Sequence, residues 1–347
     1  MNNFNDLDAI KKIDPQDTLG STELAVKQFK VAWQEVQALE ITDDYSGVKA
    51  IVFCGMGASI YGALVVKALE GANFAYPTEI VTDYHLPAYV DENTLVVLTS
   101  YSGSTEEVLS CAREAKEMSA KMVVLTKGGK LAKFAKENNV PSYIFDGSMN
   151  PAGVPRLGNG YSIFGLLGLL HKIGVITLDL SVIEHAIQYG GKNQQRLKNQ
   201  AQSDVEQFSN TIPVIFAAEH LSASAQILRN QFNETSKTFS AFYLVPDLNH
   251  HLMEGLAFPK DAPITFFILN STNYSDKIKK RMELTVDVVQ QNRRTVVEYT
   301  TTGVNVFQDF VEVLLYGSYL TLYLGLWYDQ NPAINPWVDL FKERLAS

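Results

Sequence analysis

Nine short apolar, β-branched runs recur along this chain, and helical stretches lie between them: Ala50–Cys54, Glu79–Thr82, Leu95–Thr99, Met122–Leu125 and Ser142–Phe145, then Val214–Ala217, Phe242–Leu244, Thr265–Leu269 and Thr295–Tyr299. Few folds accommodate such alternation. Strands that are apolar on both faces and separated by crossover helices build a doubly wound parallel sheet. The runs fall into two groups, separated by a polar stretch over Gly190–Asp204 that suits a linker or a long connecting helix. The expected organisation is α/β: an N-terminal lead-in (1–45, irregular to residue 20 and helical over Thr22–Leu39), a first parallel-sheet domain (46–185), a second (195–330), and a tail (331–347) with a helix from about Pro336 to Leu345. Two such units in succession imply a pseudo-duplicated architecture with a ligand cleft between the halves.

Two turns within the first half share one chemistry. The run ending at Cys54 leads into Gly55-Met56-Gly57-Ala58-Ser59-Ile60 and a helical pattern, and the run ending at Thr99 leads into Ser100-Tyr101-Ser102-Gly103-Ser104-Thr105 and another. Ser104 and Glu107 have the S-x-x-E spacing of a capping box, which predicts a helix N-terminus there. A helix N-terminus offers unpaired N–H groups and the positive end of the dipole. The hydroxyls of Ser100, Ser102, Ser104 and Thr105 add donors without charge. Alone, such a loop reads as readily as a polar helix cap. Two of them at the carboxyl ends of parallel strands stand where open α/β sheets bind ligands, and suggest a phosphate cradle.

Composition removes several classes. The 347 residues carry 29 Lys and Arg against 38 Asp and Glu, a net charge of −9, which argues against nucleic-acid binding. Met1–Pro15 has no apolar core segment, and the apolar runs Tyr161–Leu170 and Val313–Tyr328 are short for a membrane span, so both read as buried helices in a protein without a membrane partner. Cys54 and Cys111 lack metal spacing and read as reduced thiols of a cytoplasmic protein. His250 and His251 are adjacent and point in different directions, a poor metal site, so neither metal nor organic cofactor is expected. A nicotinamide fingerprint would need glycine at position 60, where the chain has Ile60.

Read residue by residue, the remaining candidates are ambiguous. Glu234, in a helical stretch over Ser222–Phe239 with apolar positions at Ala225, Leu228, Phe232 and Phe239, has the spacing of a solvated surface pair with Lys237. Arg156 follows Pro155 ahead of an apolar helix and suits a structural role as well as a functional one. Lys342 lies in the terminal helix, where a solvated lysine is ordinary.

Taken together, Gly55-Met-Gly-Ala-Ser59, Ser100-Tyr-Ser-Gly-Ser-Thr105, Val154-Pro-Arg156, Asn230-Gln-Phe-Asn-Glu234-Thr-Ser-Lys237, Pro246-Asp-Leu-Asn-His250 and Lys342 resemble, in order and spacing, the sugar isomerase (SIS) fold. They are most similar to its two-domain phosphoglucose/phosphomannose isomerases, relatives of glucose-6-phosphate isomerase, from about residue 45 to the C-terminus. The resemblance implies an aldose–ketose isomerase of carbohydrate metabolism that interconverts glucose 6-phosphate, and mannose 6-phosphate as a second substrate, with fructose 6-phosphate. Isomerases of other ketose- or amino-sugar phosphates, and non-catalytic sugar-phosphate-binding proteins, are its nearest alternatives.

By that resemblance Ser59, Ser100, Ser102 and Thr105 hold the sugar phosphate, with Gly57, Ser104 and Asn335 as further substrate contacts. Glu234 becomes the base, Arg156 the partner of the enediolate, and His250 and Lys342 the ring-opening pair, His250 coming from the neighbouring subunit of a homodimer. The sequence departs from the pattern at two places. Ala58-Ser59-Ile60 has less glycine than is usual, and Asn335 stands where ordinary glucose-6-phosphate isomerases carry glutamine and dual-specificity ones threonine.

Overall fold

A computed structural model describes residues 4–346 and resolves the chain into two compact units. One comprises Glu23–Gly191 with Val306–Gln308; the other comprises the N-terminal residues through Thr22, Lys192–Asn305 and the chain from Asp309 onward.

The first unit is built on strands β1 (Ala50–Cys54), β2 (Thr78–Val81), β3 (Thr94–Ser100), β4 (Lys121–Thr126) and β5 (Ser142–Ile144), all parallel, in the order β2-β1-β3-β4-β5. Every residue of β3 is buried, as expected for a strand covered on both faces. Helices α3 (Ala25–Gln37), α4 (Tyr61–Glu70), α5 (Glu106–Glu117), α6 (Gly129–Glu137) and α7 (Gly165–Lys172) belong to this unit. Cys54 and Cys111 are buried free thiols in the core between β1 and α5.

The second unit holds β6 (Ile212–Ala218), β7 (Ala241–Val245), β8 (Ile264–Asn270) and β9 (Thr295–Thr300), again all parallel, in the order β7-β6-β8-β9. Its helices include α9 (Ser222–Glu234), α10 (Asp276–Gln291) and α12 (Pro336–Ala346). The polar stretch at 190–204 is the latter part of α8 (Leu180–Asp204), and the boundary between the units falls inside that helix. Helix α11 (Val306–Trp327) is longer than the apolar run that marks it in the sequence. It has the length of a membrane span, but 94% of its most apolar stretch is buried in the protein.

All nine expected strands form, with ends that differ by up to two residues. Four helical expectations need correction. The lead-in expected to be irregular to residue 20 is not so over its described residues, 4–20, because α1 (Leu7–Ile13) and α2 (Thr18–Glu23) form there; residues 1–3 lie outside the described residues. Both are held by side-chain caps: Asp6 accepts the Ala9 N–H at 3.0 Å, and Asp14 accepts those of Thr18 and Leu19 at 2.9 Å each. The helix expected over Thr22–Leu39 is broken at Leu24 into α2 and α3.

Helix α9 stops at Glu234, well before Phe239, because the chain then bends to a left-handed Lys237 (φ 57°) and leaves Phe239 70% exposed. The capping box is absent. Thr105, not Ser104, is the N-cap of α5; it makes no side-chain cap bond, and its hydroxyl pairs with the Ser100 hydroxyl at 2.8 Å.

Candidate active site

In the first sheet the chain leaves β1 for β2 on one side and returns to β3 on the other, so the crevice between β1 and β3 is the topological switch point. Cys54 pairs in register with Leu98, which brings the turns after these two strands side by side. The Tyr101 N–H donates to Ser59 Oγ at 3.1 Å, and the Thr99 hydroxyl lies 3.0 Å from Cys54 O and 2.9 Å from Ser59 O. These bonds join the two turns into one surface.

Within the second turn, Ser100 Oγ accepts the Gly103 N–H at 3.0 Å and Ser102 Oγ accepts the Ser104 N–H at 3.3 Å. Gly103 has φ 69°, and a Cβ there would collide with the Gly128 carbonyl, so the turn can close only on glycine. Gly57 also adopts a left-handed φ of 55°, at the start of the turn of helix that carries Ser59. Ser59 and Ser100 are buried, whereas Gly57, Ser102 and Ser104 face solvent and Thr105 is half-buried. A cavity behind the turns, lined by Ser59, Ser100, Tyr101 and Pro155 among others, has about 10 Å³ of free space, room for one water. The open surface of these turns is therefore the outer one, at the start of α5. Glu106 and Glu107 in the first turn of α5 already satisfy part of the helix dipole, so the hydroxyls must offset their charge to hold an anion.

Pro155 belongs to a single helical turn, Pro155–Leu157, and places Arg156, only 1% exposed, beside this cradle. Sequence reading missed what holds that turn. Gln28 of α3, fully buried, donates to Met149 O and Leu157 O at 3.1 Å each and accepts the Gly160 N–H at 2.6 Å. Asn150 Nδ2 bonds the Tyr101 hydroxyl at 2.8 Å and Val154 O at 2.9 Å, linking the arginine loop to the serine turn. The β4–α6 turn was missed as well. The Lys127 N–H donates to Tyr101 O at 3.0 Å, and Gly129 packs against Ser102 O, so exposed Lys127 and Lys130 flank the cradle.

In the second unit, half-buried Glu234 ends α9. Lys237 donates to Glu234 O at 2.5 Å and to Ile334 O at 2.6 Å, which ties the 331–335 segment to the negative end of that helix. Asn335 is thereby brought to the acid, with its Nδ2 at 3.4 Å from Glu234 Oε2. Exposed Lys342 lies one further stretch along, in α12.

His250 is placed elsewhere. A crossover helix runs antiparallel to its strands, so the end of α9 lies at the amino edge of the sheet. There Ser240 Oγ donates to Pro213 O at 2.7 Å. His250 follows β7 at the carboxyl edge, on a turn fixed by Asn249, which donates to Thr285 Oγ1 at 2.9 Å and accepts from Arg281 at 3.2 Å. The full length of β7, five residues at roughly 3.3 Å each, separates the two edges. Glu234 and exposed His250 of one unit therefore do not converge. Among the described residues no cluster of three or more His, Cys, Asp or Glu side chains has the arrangement of a metal site.

Comparison with known proteins follows this division. Residues 45–147 match the SIS domain family, and residues 197–345 match the bacterial phospho-glucose isomerase C-terminal SIS domain. A bifunctional phosphoglucose/phosphomannose isomerase of Caldicellulosiruptor bescii is 29% identical, over 92% of this chain and 96% of that protein. One from Aquifex aeolicus is 28% identical, over 88% and 93%. Among solved structures, a hypothetical protein from Thermus thermophilus superposes with a TM-score of 0.74 at 16% identity, covering 98% of this chain and 94% of that one, which establishes a shared fold.

Proposed function

We propose that this chain, which belongs to the family of two-SIS-domain bifunctional phosphoglucose/phosphomannose isomerases, interconverts glucose 6-phosphate and mannose 6-phosphate with fructose 6-phosphate. The observation that carries the reading is the pair of hydroxyl-lined turns at the β1/β3 switch point, in a chain both of whose halves match sugar isomerase domains.

The roles are those that the family resemblance implies, and each is within the chemistry of its group. Ser59, Ser100, Ser102 and Thr105 hold the phosphate, with Gly57 and Ser104 supplying further contacts. His250 and Lys342 move the protons that open the ring. Glu234 then takes the proton from C2, and the electron pair forms a C1–C2 enediolate. Arg156, a permanent cation, stabilises the enediolate oxygens, and Glu234 returns the proton to C1 while the O2 proton passes to O1, which leaves the C2 carbonyl of the ketose. Asn335, beside Glu234, contacts the sugar near the reacting carbons. Free Cys54 and Cys111 support a cytoplasmic setting, and the substrates suit glycolysis and gluconeogenesis.

A coupled assay on glucose 6-phosphate and mannose 6-phosphate tests the reading. Activity on both should be unchanged by a chelator; absence of both activities contradicts it. Replacing Ser100 and Ser102 together by alanine should raise KM far more than it lowers kcat. A hydrogen bond to a charged group is worth about 1.5–3 kcal/mol, so the loss of two predicts a rise of about 10²- to 10⁴-fold. A fall confined to kcat would remove these serines from phosphate binding.

The opposed positions of Glu234 and His250 support a homodimer in which each site takes its histidine from the partner. Helix α12 supports the same arrangement. Its Trp337, Phe341 and Leu345 form a stripe 80%, 66% and 63% exposed. A second copy could cover such an apolar surface. Mixing inactive Glu234→Gln and His250→Ala chains should restore about a quarter of wild-type activity, because half the dimers would then hold one intact site of two. No recovery on mixing, or a fully active monomer by light scattering, would contradict it.

A further inference from the structure

The second sheet has a switch point of its own, between β6 and β8, and the chain itself fills it. The turns that leave these strands mirror those of the first sheet: a short 3₁₀ turn, Glu219–Leu221, leads from β6 into α9, and Ser271-Thr272-Asn273-Tyr274-Ser275 leads from β8 into α10. In place of an open surface there is a carboxylate. Asp309, near the start of α11, is fully buried, and its Oδ2 receives the Ser271 hydroxyl at 2.6 Å and the Asn273 amide at 2.8 Å, with His220 Nε2 at 3.0 Å. The Asn273 N–H donates in turn to Ser271 Oγ at 2.8 Å, which orients that hydroxyl towards the acid. Among the described residues Asp309 Oδ1 is buried without a partner. Burial opposes the charge on Asp309, but hydrogen bonds, chiefly from His220, Asn273 and Ser271, outweigh it and hold the carboxyl below its ordinary range.

A carboxyl-edge crevice whose donors all converge on one anionic oxygen has the chemistry of an oxyanion site. We propose that the β6/β8 switch point is a second oxyanion pocket, specific for a small carboxylate, which the chain keeps closed with its own Asp309. Its closure leaves a duplicated chain with one open anion cradle instead of two, and it locks the start of α11 to the turns after β6 and β8. The inference depends on this geometry alone and holds whichever sugar phosphate the protein converts.

Vacating the pocket tests it. In the full-length chain Asp309→Ala removes the carboxylate and leaves the three donors, and formate is the probe because it has the size of what is lost. Sodium formate should raise the melting temperature of Asp309→Ala saturably, by about 3 °C or more above the effect of equal sodium chloride. Wild type and Asp309→Asn, whose pockets remain filled, should respond to the two salts alike. Adding Ser271→Ala to Asp309→Ala should abolish the formate response. If Asp309→Ala folds poorly in chloride, its refolding yield should rise with formate but not with chloride. Equal effects of formate and chloride on Asp309→Ala, in melting or in refolding yield, would overturn the proposal. So would a formate response that survives the loss of Ser271.

Discussion

Glu234→Gln should lose about 10²- to 10⁴-fold in kcat, the contribution of a positioned proton-transfer group, while KM changes little. The substitution preserves shape and leaves an amide oxygen to receive Asn335, which stands 3.4 Å from the carboxylate. Glu234 is half-buried at the end of α9, so its replacement removes no packed core volume, and the loss should come without a large fall in stability. Deuterium exchange gives a sharper readout than turnover. Wild-type protein in D₂O should label the hexose phosphate at C2 and C1, and the variant should not. A variant that retains more than a few per cent of activity would remove Glu234 from the base role.

Gly103→Ala should be the most damaging single methyl in the first unit. The position is left-handed, with φ 69°, and the added Cβ would overlap the Gly128 carbonyl and lie 2.8 Å from Thr126 Oγ1. Neither neighbour yields cheaply, because the Gly103 carbonyl is itself bonded to the Leu131 N–H at 2.9 Å and Thr126 Oγ1 lies 3.1 Å from Gly128 O. Conformational strain and overpacking together predict a loss of about 2–5 kcal/mol. The serine turn would be displaced with it, so KM for hexose phosphate should rise at least tenfold in whatever fraction stays folded. Chemical denaturation and steady-state kinetics measure the two effects separately. Wild-type values for both would show that the tight approach of these turns is dispensable. Gly57→Ala is the natural comparison: it has the same handedness but nothing within 4 Å of the added methyl, so it should show strain without the clash.

The two sheets were legible because burial on both faces leaves nothing polar inside a strand, as in Leu95–Leu98, where relative exposure is zero throughout. The two serine- and glycine-lined turns were legible for a related reason: their residue types are costly anywhere but at a turn or a helix start. What escaped was what the chain signals weakly or brings together from afar. Helices α1 and α2 are too short for periodicity to show and rest on single aspartates, Asp6 and Asp14. The end of α9 was misplaced because Phe239 is in helical phase with the core positions before it, and only the backbone shows that Lys237 has already turned left-handed. Ser104 and Glu107 have the spacing of a capping box, but Ser100 engages the Thr105 hydroxyl and the helix begins after Thr105. Gln28, far from the arginine loop in sequence, and Asp309, far from Ser271 and His220, meet their partners only through topology.

The reading of this chain as an isomerase rests on a phosphate held by the β1/β3 turns while Glu234 faces the reacting carbons. Diffraction from a crystal soaked with fructose 6-phosphate tests both at once. The phosphate should lie within hydrogen-bonding distance of Ser100, Ser102 and Thr105, and the Glu234 carboxylate should approach C1 and C2. A phosphate bound away from those turns, or a Glu234 carboxylate turned from the sugar, would contradict it.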